Sequence, residues 1–247
     1  MSFRVVQITD CHLFADKNKI VGDGISSYNT LDVTLKAVGK MAPDLVIVTG
    51  DLSADESAES YQHFQNLWSQ NEMSAELKVI PGNHDAPDLM KAAFKGGFWR
   101  EEPIQVKGWM LHSLHSQVAG IGKGNVSVEQ LRQLQMQLDT HSRLSHFIAV
   151  HHHPIPMNSW MDNYEWMNRE AFIDFVKLNN NIKLIIHGHV HTTRELVVGE
   201  AQLLSAPSTC WQFKHEAEFA FEQGAPAFRV INLHQDGSYE SDIIEVM

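Results

Sequence analysis

Five short polar clusters, each set directly behind an apolar, β-branched run, constrain this chain more than any other feature. They read Asp10-Cys11-His12, Gly50-Asp51, Gly82-Asn83-His84-Asp85, His151-His152-His153 and Gly188-His189-Val190-His191. An apolar run that ends in a carboxylate, an amide or an imidazole places a polar group at the end of a strand. In open α/β sheets, ligands gather beyond the carboxyl ends of strands. Five such ends at one edge would assemble the nitrogen and oxygen donors that borderline-hard metal ions take.

The rest of the pattern supports such a sheet. Residues 3–9, 44–49, 77–80, 147–150 and 182–186 read as buried strands, with 109–114 a weaker one. Helical stripes lie between them, at Leu31, Leu35 and Val38, at Phe64 and Leu67, and at Ala171, Phe172, Phe175 and Val176. Ser127-Val128-Glu129-Gln130 has the spacing of a capping box and opens a further stripe at Leu131, Leu134 and Leu138. From Arg194 onward four strand-like runs follow, with turn signals at Gly199-Glu200 and Asp236-Gly237. The alternation predicts an α/β fold, and the all-β tail predicts a second sheet packed on the first. No linker, repeat or low-complexity tract interrupts the chain, so one domain is expected over 1–247. Residues 14–29 and 211–226 have no clear assignment; loops of that length in a compact domain are usually functional or disordered.

Composition limits the partners. The 247 residues are 43% hydrophobic, enough for one large core. The net charge of −11 makes long nucleic acid a poor partner, while two bound dications would still draw a small anion to a local site. Two cysteines, no leader-like segment at Met1-Ser2-Phe3-Arg4 and no apolar run of about 20 residues point to the cytoplasm and away from a membrane.

The ion chemistry follows from residue types. Asp10 and His12 could face one ion together. Asp51 is the natural bridge, because a carboxylate has two oxygens and charge enough for two cations. Asn83 offers a neutral oxygen, and His151, His189 and His191 offer imidazole nitrogens. A mixed set of this kind suits manganese, iron or zinc better than magnesium or calcium. Gly50, Gly82 and Gly188 let the chain turn and approach closely. Strand alternation should turn Cys11 away from its two neighbours as a buried thiol, and His187 reads as packed. Each motif alone is common, and a single histidine is more often structural than a ligand. Their weight comes from all five standing in order behind strands. Tyr28, Trp160, Trp166, Trp211 and Phe213 are candidates to stack on a nucleobase, with core packing an equal alternative.

The series D-x-H, G-D, G-N-H-[DE], H and G-H-x-H resembles that of the calcineurin-like metallophosphoesterase superfamily over nearly the whole chain. Within it, three stretches resemble the bacterial class III 3′,5′-cyclic-nucleotide phosphodiesterases. They are Gly50-Asp51-Leu52-Ser53 with Tyr61-Gln62-His63-Phe64, the run from His151 to Pro156, and the run from Ser205 to Lys214. The resemblance implies a four-layer αββα sandwich of two mixed sheets, a dinuclear centre of iron or manganese with zinc as an alternative, and a small phosphodiester substrate. One ion would be held by Asp10, His12, Asp51 and His191, the other by Asp51, Asn83, His151 and His189, with His152 the alternative to His151. A hydroxide bridging the ions would hydrolyse cyclic AMP to 5′-AMP; glycerophosphodiesters or a broader range are the alternative substrates. With Asn83, His84 would contact the phosphate and also protonate the leaving oxygen, oriented by Asp55 or Asp85. A homo-oligomer is compatible with all of this.

Overall fold

The computed structural model describes residues 2–22, 24–100 and 102–246; Met1, Asp23, Glu101 and Met247 lie outside them. Along the chain run β1 (Phe3–Ile8), α1 (Ser27–Lys40), β2 (Leu45–Thr49), α2 (Ala58–Gln70), β3 (Glu76–Ile80) and α3 (Pro87–Ala93). Next come β4 (Ile104–Val106), β5 (Trp109–Ser113), β6 (Gln117–Val118), β7 (Ile121–Gly124), α4 (Val128–Thr140) and β8 (Ser145–Val150). A 3-10 turn (Trp160–Tyr164), α5 (Arg169–Leu178), β9 (Ile182–His187), β10 (Glu195–Val198) and β11 (Ala201–Ser205) follow. The chain ends with β12 (Gln212–Phe213), β13 (Phe221–Glu222), β14 (Ala227–Leu233) and β15 (Tyr239–Glu245).

Two mixed sheets stack face to face, in the orders β15-β14-β1-β2-β3 and β10-β11-β9-β8-β5-β4. Side-chain alternation sorts each central strand between two cores. Val5, Leu45, Ile47 and Ile80 from the first sheet meet Leu111, Phe147, Ala149, Leu184 and Ile186 from the second. Their neighbours Val6, Ile8, Val46, Val48 and Val79 point outward, onto Leu31, Leu35 and Val38 of α1 and Tyr61, Phe64 and Leu67 of α2. On the far side Ile148, Val150 and Ile185 meet Leu134 and Leu138 of α4 and Phe172 and Val176 of α5. The layers are therefore helix, sheet, sheet, helix, as expected. Among the described residues no helix is long and apolar enough to cross a membrane.

The tail departs from expectation. Apart from the two-stranded β12–β13 hairpin, its strands build no sheet of their own: β10 and β11 extend the second sheet, and β14 and β15 return to the first, with β14 antiparallel to β1. The burial patterns explain the split. β1 is buried on both faces toward its end and cannot remain an edge, whereas β10 and β15 expose much of their length and serve as edges. Ser127 caps α4 by accepting from the Gln130 amide at 3.1 Å, but the return half of the box does not form. The Gln130 side chain instead holds both backbone groups of His115. Of the unassigned stretches, 14–29 supplies the Ser26 cap and first turn of α1, and 211–226 holds the β12–β13 hairpin.

Polar pins join the sheets beside the apolar core. Gln7 of β1 donates to the His187 carbonyl of β9 at 2.9 Å. Arg229 of β14, fully buried, donates twice to the Ser205 carbonyl of β11 and once each to Glu195 and Ser241. Replacing it leaves the buried Ser205 carbonyl without its donors in a low-dielectric layer. Arg229→Met should therefore destabilise the fold by on the order of 2 kcal/mol, read as a lowered urea midpoint at unchanged m-value.

Candidate metal centre

The loops beyond five parallel strand ends are stitched to one another. Past β1 and β2 the chain keeps a short ladder, with Asp10 N to Gly50 O at 3.0 Å, His12 N to Asp51 O at 2.9 Å and Leu13 N to Leu52 O at 2.9 Å. Gly188 N donates to His151 O at 3.1 Å, and His189 N donates to the Asp10 carboxylate at 3.0 Å. Gly50 turns with φ of 96°, and a Cβ there would be driven into the His151 ring. At Gly82 a Cβ would strike the Asp51 carboxylate. Both positions need glycine for close approach.

Asp10, His12, Asp51, His189 and His191 all have positive φ, between 45° and 71°. That left-handed backbone is sparsely populated by residues with side chains and collects at functional sites. It also changes the reason for the placement of Cys11, though not the placement itself. Asp10 and His12 lie beyond β1 on a left-handed turn, so strand alternation does not apply to them. Cys11 does face away, into the helix-side core, where burial pushes its thiol up to about 12.

The polar atoms converge in two groups. His12 Nε2 lies 3.1 Å from His191 Nε2, which is 3.4 Å from Asp10 Oδ1. His151 Nε2 lies 3.1 Å from Asn83 Oδ1 and 3.2 Å from His189 Nδ1. Asp51 Oδ2 serves both groups, 3.8 Å from His12 Nε2 and 3.4 Å from His151 Nε2. An ion with bonds of about 2.0–2.2 Å would separate adjacent ligand atoms by about 3.0–3.5 Å. The tautomers fit as well. His151 Nδ1 donates to the Thr49 carbonyl and His191 Nδ1 to the Trp211 carbonyl, each at 2.8 Å. In a neutral ring this leaves each Nε2 as a lone pair turned toward other acceptors. The donor sets therefore fit two cations.

Burial opposes ionisation of Asp51, but the charge of the His151 imidazole outweighs it and holds the carboxyl well below its ordinary value. Burial also opposes charging of His151, and the Asp51 carboxylate outweighs it in turn, raising that ring to about 9, so a cation taking its Nε2 lone pair would displace a proton. Burial likewise opposes ionisation of Asp10, which the His191 ring lowers. Burial pushes His12 down to about 3, keeping that ring neutral and its lone pair available.

Two supports were not legible beforehand. Asp85 accepts from Gly82 N, Leu52 N, Ser53 N and the Tyr61 hydroxyl, clamping the loop after β3 to the loop after β2. The segment 208–213 braces the other side. The Ser208 hydroxyl and the Cys210 thiol both donate to the Asp10 carbonyl, the Trp211 ring stacks on His12 at 4.9 Å, and Phe213 stacks on His191 at 4.0 Å.

His84 is exposed, and its ring stands edge-on to His12 at 5.2 Å. Neither expected partner orients it: Asp85 is bound as above, and Asp55 accepts from Ala15 N and the Ser57 hydroxyl. His152 is turned to its own partners, the Ser116 hydroxyl and the Gly122 carbonyl, which leaves His151 at the convergence. Of the stacking candidates, Trp166 is buried on Phe172, Tyr28 packs on His63, and Trp211 and Phe213 pack on the histidines. Trp160 and Phe213 are left partly open beside the site, in a cleft of about 1180 Å³.

Comparison with known proteins accords with this geometry. A 3′,5′-cyclic adenosine monophosphate phosphodiesterase of Pseudomonas aeruginosa is 32% identical over 250 residues, covering 99% of this chain and 90% of the relative. The enzyme of the same name from Escherichia coli K12 is 32% identical over 246 residues, covering 97% and 88%. In fold, a dimetal phosphatase from Danio rerio superposes with a TM-score of 0.69 at 12% identity over 99% of both chains. Residues 3–193 match the calcineurin-like phosphoesterase family, and the chain belongs to that family.

Proposed function

We propose that this chain hydrolyses the P–O3′ bond of 3′,5′-cyclic AMP to give 5′-AMP, acting as one catalytic domain over its whole length. The reading is carried by the two acceptor groups that share Asp51 Oδ2, in a chain whose similar relatives are named for that activity. Asp10, His12, Asp51 and His191 would hold one ion, and Asp51, Asn83, His151 and His189 would hold the other. The mixed nitrogen and oxygen donors suit iron or manganese, with zinc as the alternative. Two free, buried cysteines suit a reducing compartment, so the cytoplasm is the proposed location.

When bound, the ions supply a water-derived nucleophile at neutral pH and neutralise charge on the phosphoryl oxygens. The chain's own groups do the rest. Carbonyls of Thr49 and Trp211 fix the ring orientation of His151 and His191. Asn83 and His84 meet the phosphate, and His84 gives a proton to O3′ as the P–O3′ bond breaks, a role its open position beside His12 permits. A second reading, hydrolysis of glycerophosphodiesters, has one observation in its favour. The cleft carries Glu56, Asp88 and Glu218 beside aromatic rings, surroundings that also suit a cationic head group.

A panel of cyclic AMP, cyclic GMP, glycerophosphocholine and an aryl phosphodiester, assayed with manganese, iron or zinc, tests the assignment; equal rates on all four remove it. Asp51→Ala should bind neither ion and lose roughly a thousandfold or more in kcat/KM, and metal analysis showing a full complement would remove the bridging role. His84→Ala should keep its metal and lose roughly 10²–10⁴-fold in kcat, with stoichiometric metal loss the contrary result.

A further inference from the structure

We infer that Tyr164 and Phe219, backed by Trp160, form the seat of the substrate's nucleobase, a subsite that rests on the phosphodiesterase reading above. The large aromatic side chains exposed among the described residues are Tyr164 at 43%, Phe219 at 54% and Phe221 at 41%. Two of the three line the cleft over the candidate metal centre. Open aromatic surface concentrated at one cleft marks a binding site rather than ordinary surface.

The rings come from separate segments that are fastened together. Tyr164 and Trp160 belong to the 3-10 turn, and Phe219 to the loop between β12 and β13. Trp160 N donates to Glu216 O and Trp160 Nε1 to Lys214 O, each at 2.9 Å, pinning loop to turn. The Trp160 ring lies 4.9 Å from Phe219 at 88° and 6.1 Å from Tyr164 at 83°. Tyr164 is seated where Gly122 has no side chain, since a Cβ there would come within 2.6 Å of the ring. Its ring centre is 6.5 Å from that of His189, so the aromatic corner begins one ring away from the reacting centre.

Charge selects the occupant. Glu56, Asp88 and Glu218 line the cleft, and among the described residues no lysine or arginine does. Nothing there would hold a second phosphate, so the part of the substrate beyond the reacting diester is not anionic. Ile121, 44% exposed on the facing β6–β7 hairpin, adds an aliphatic surface beside Tyr164. A flat neutral ring fits between the aliphatic face of Ile121 and the aromatic rings, and the cleft volume of about 1180 Å³ accommodates a nucleotide.

The test compares cyclic AMP with a methyl riboside 3′,5′-cyclic phosphate that lacks the base. In Phe219→Ala and Tyr164→Ala the ratio of kcat/KM for cyclic AMP to that for the base-free probe should fall roughly tenfold, mainly through KM. Phe219→Trp and Tyr164→Phe should restore it, with metal content and circular dichroism as in the parent protein. Equal losses on both substrates, or no loss on either, overturn the seat. So does a selective loss of glycerophosphocholine turnover, which assigns the corner to a quaternary ammonium. If the parent protein hydrolyses the aryl diester but no cyclic nucleotide, the functional reading itself fails. If it hydrolyses cyclic AMP and the alanine variants match it, only the seat fails.

Discussion

Carboxylate, amide and imidazole acceptors stand 3.1–3.8 Å apart around Asp51 Oδ2, and the rest of the structure serves to hold them there. Lone pairs at that spacing repel one another, and five of the residues concerned sit on left-handed backbone, at a cost on the order of 1–3 kcal/mol each. The fold offsets this by anchoring every loop to another loop. Backbone ladders tie the first two, Asp85 ties the second to the third, and Asp10 ties the first to the fifth. Apolar packing on both faces of each sheet keeps the strand ends in register beneath them.

The balance of charge around the site is unusual for a protein that takes an anionic substrate. All the positive charge that could meet the phosphate comes from histidine and from bound cations, because no described lysine or arginine lines the cleft and its rim is acidic. Such a mouth attracts long polyanions poorly and tolerates a small monoanion whose charge is met deep inside. The chain's overall excess of acidic residues extends the same bias to the whole surface.

How much of this was legible in the sequence depended on what each residue needed. Val46, Ile47 and Val48 announce a buried strand, as do Leu184, Ile185 and Ile186, because a parallel strand covered on both faces has little choice of residue. Asp10, Asp51, Asn83 and the histidines were readable because few side chains can do their work. Trp211 was not readable in the same way, since its backbone carbonyl and the packing of its ring matter at the site, and neither depends on base stacking. Asp85 looked like a possible partner for His84, yet four donors from two neighbouring segments and Tyr61 claim it. Tyr164 and Phe219 gave no local signal at all, because exposure beside a cleft is set by segments far apart in the chain. The destination of the tail strands was hidden for the same reason: β14 pairs with β1 across 228 residues at one point of contact, Arg4 with Asn232.

That last pairing has a consequence for synthesis. β1 is made first, but one of its edges stays open until β14 leaves the ribosome. His191, a late residue of the two acceptor groups, cannot be oriented until Trp211 has followed it. A nascent chain that ends before His191 thus carries an unfilled sheet edge and a half-built ion cradle together, and long-range pairing of this kind is slow and prone to association. Metal capture and edge closure are therefore late events, tied to the same final stretch of chain.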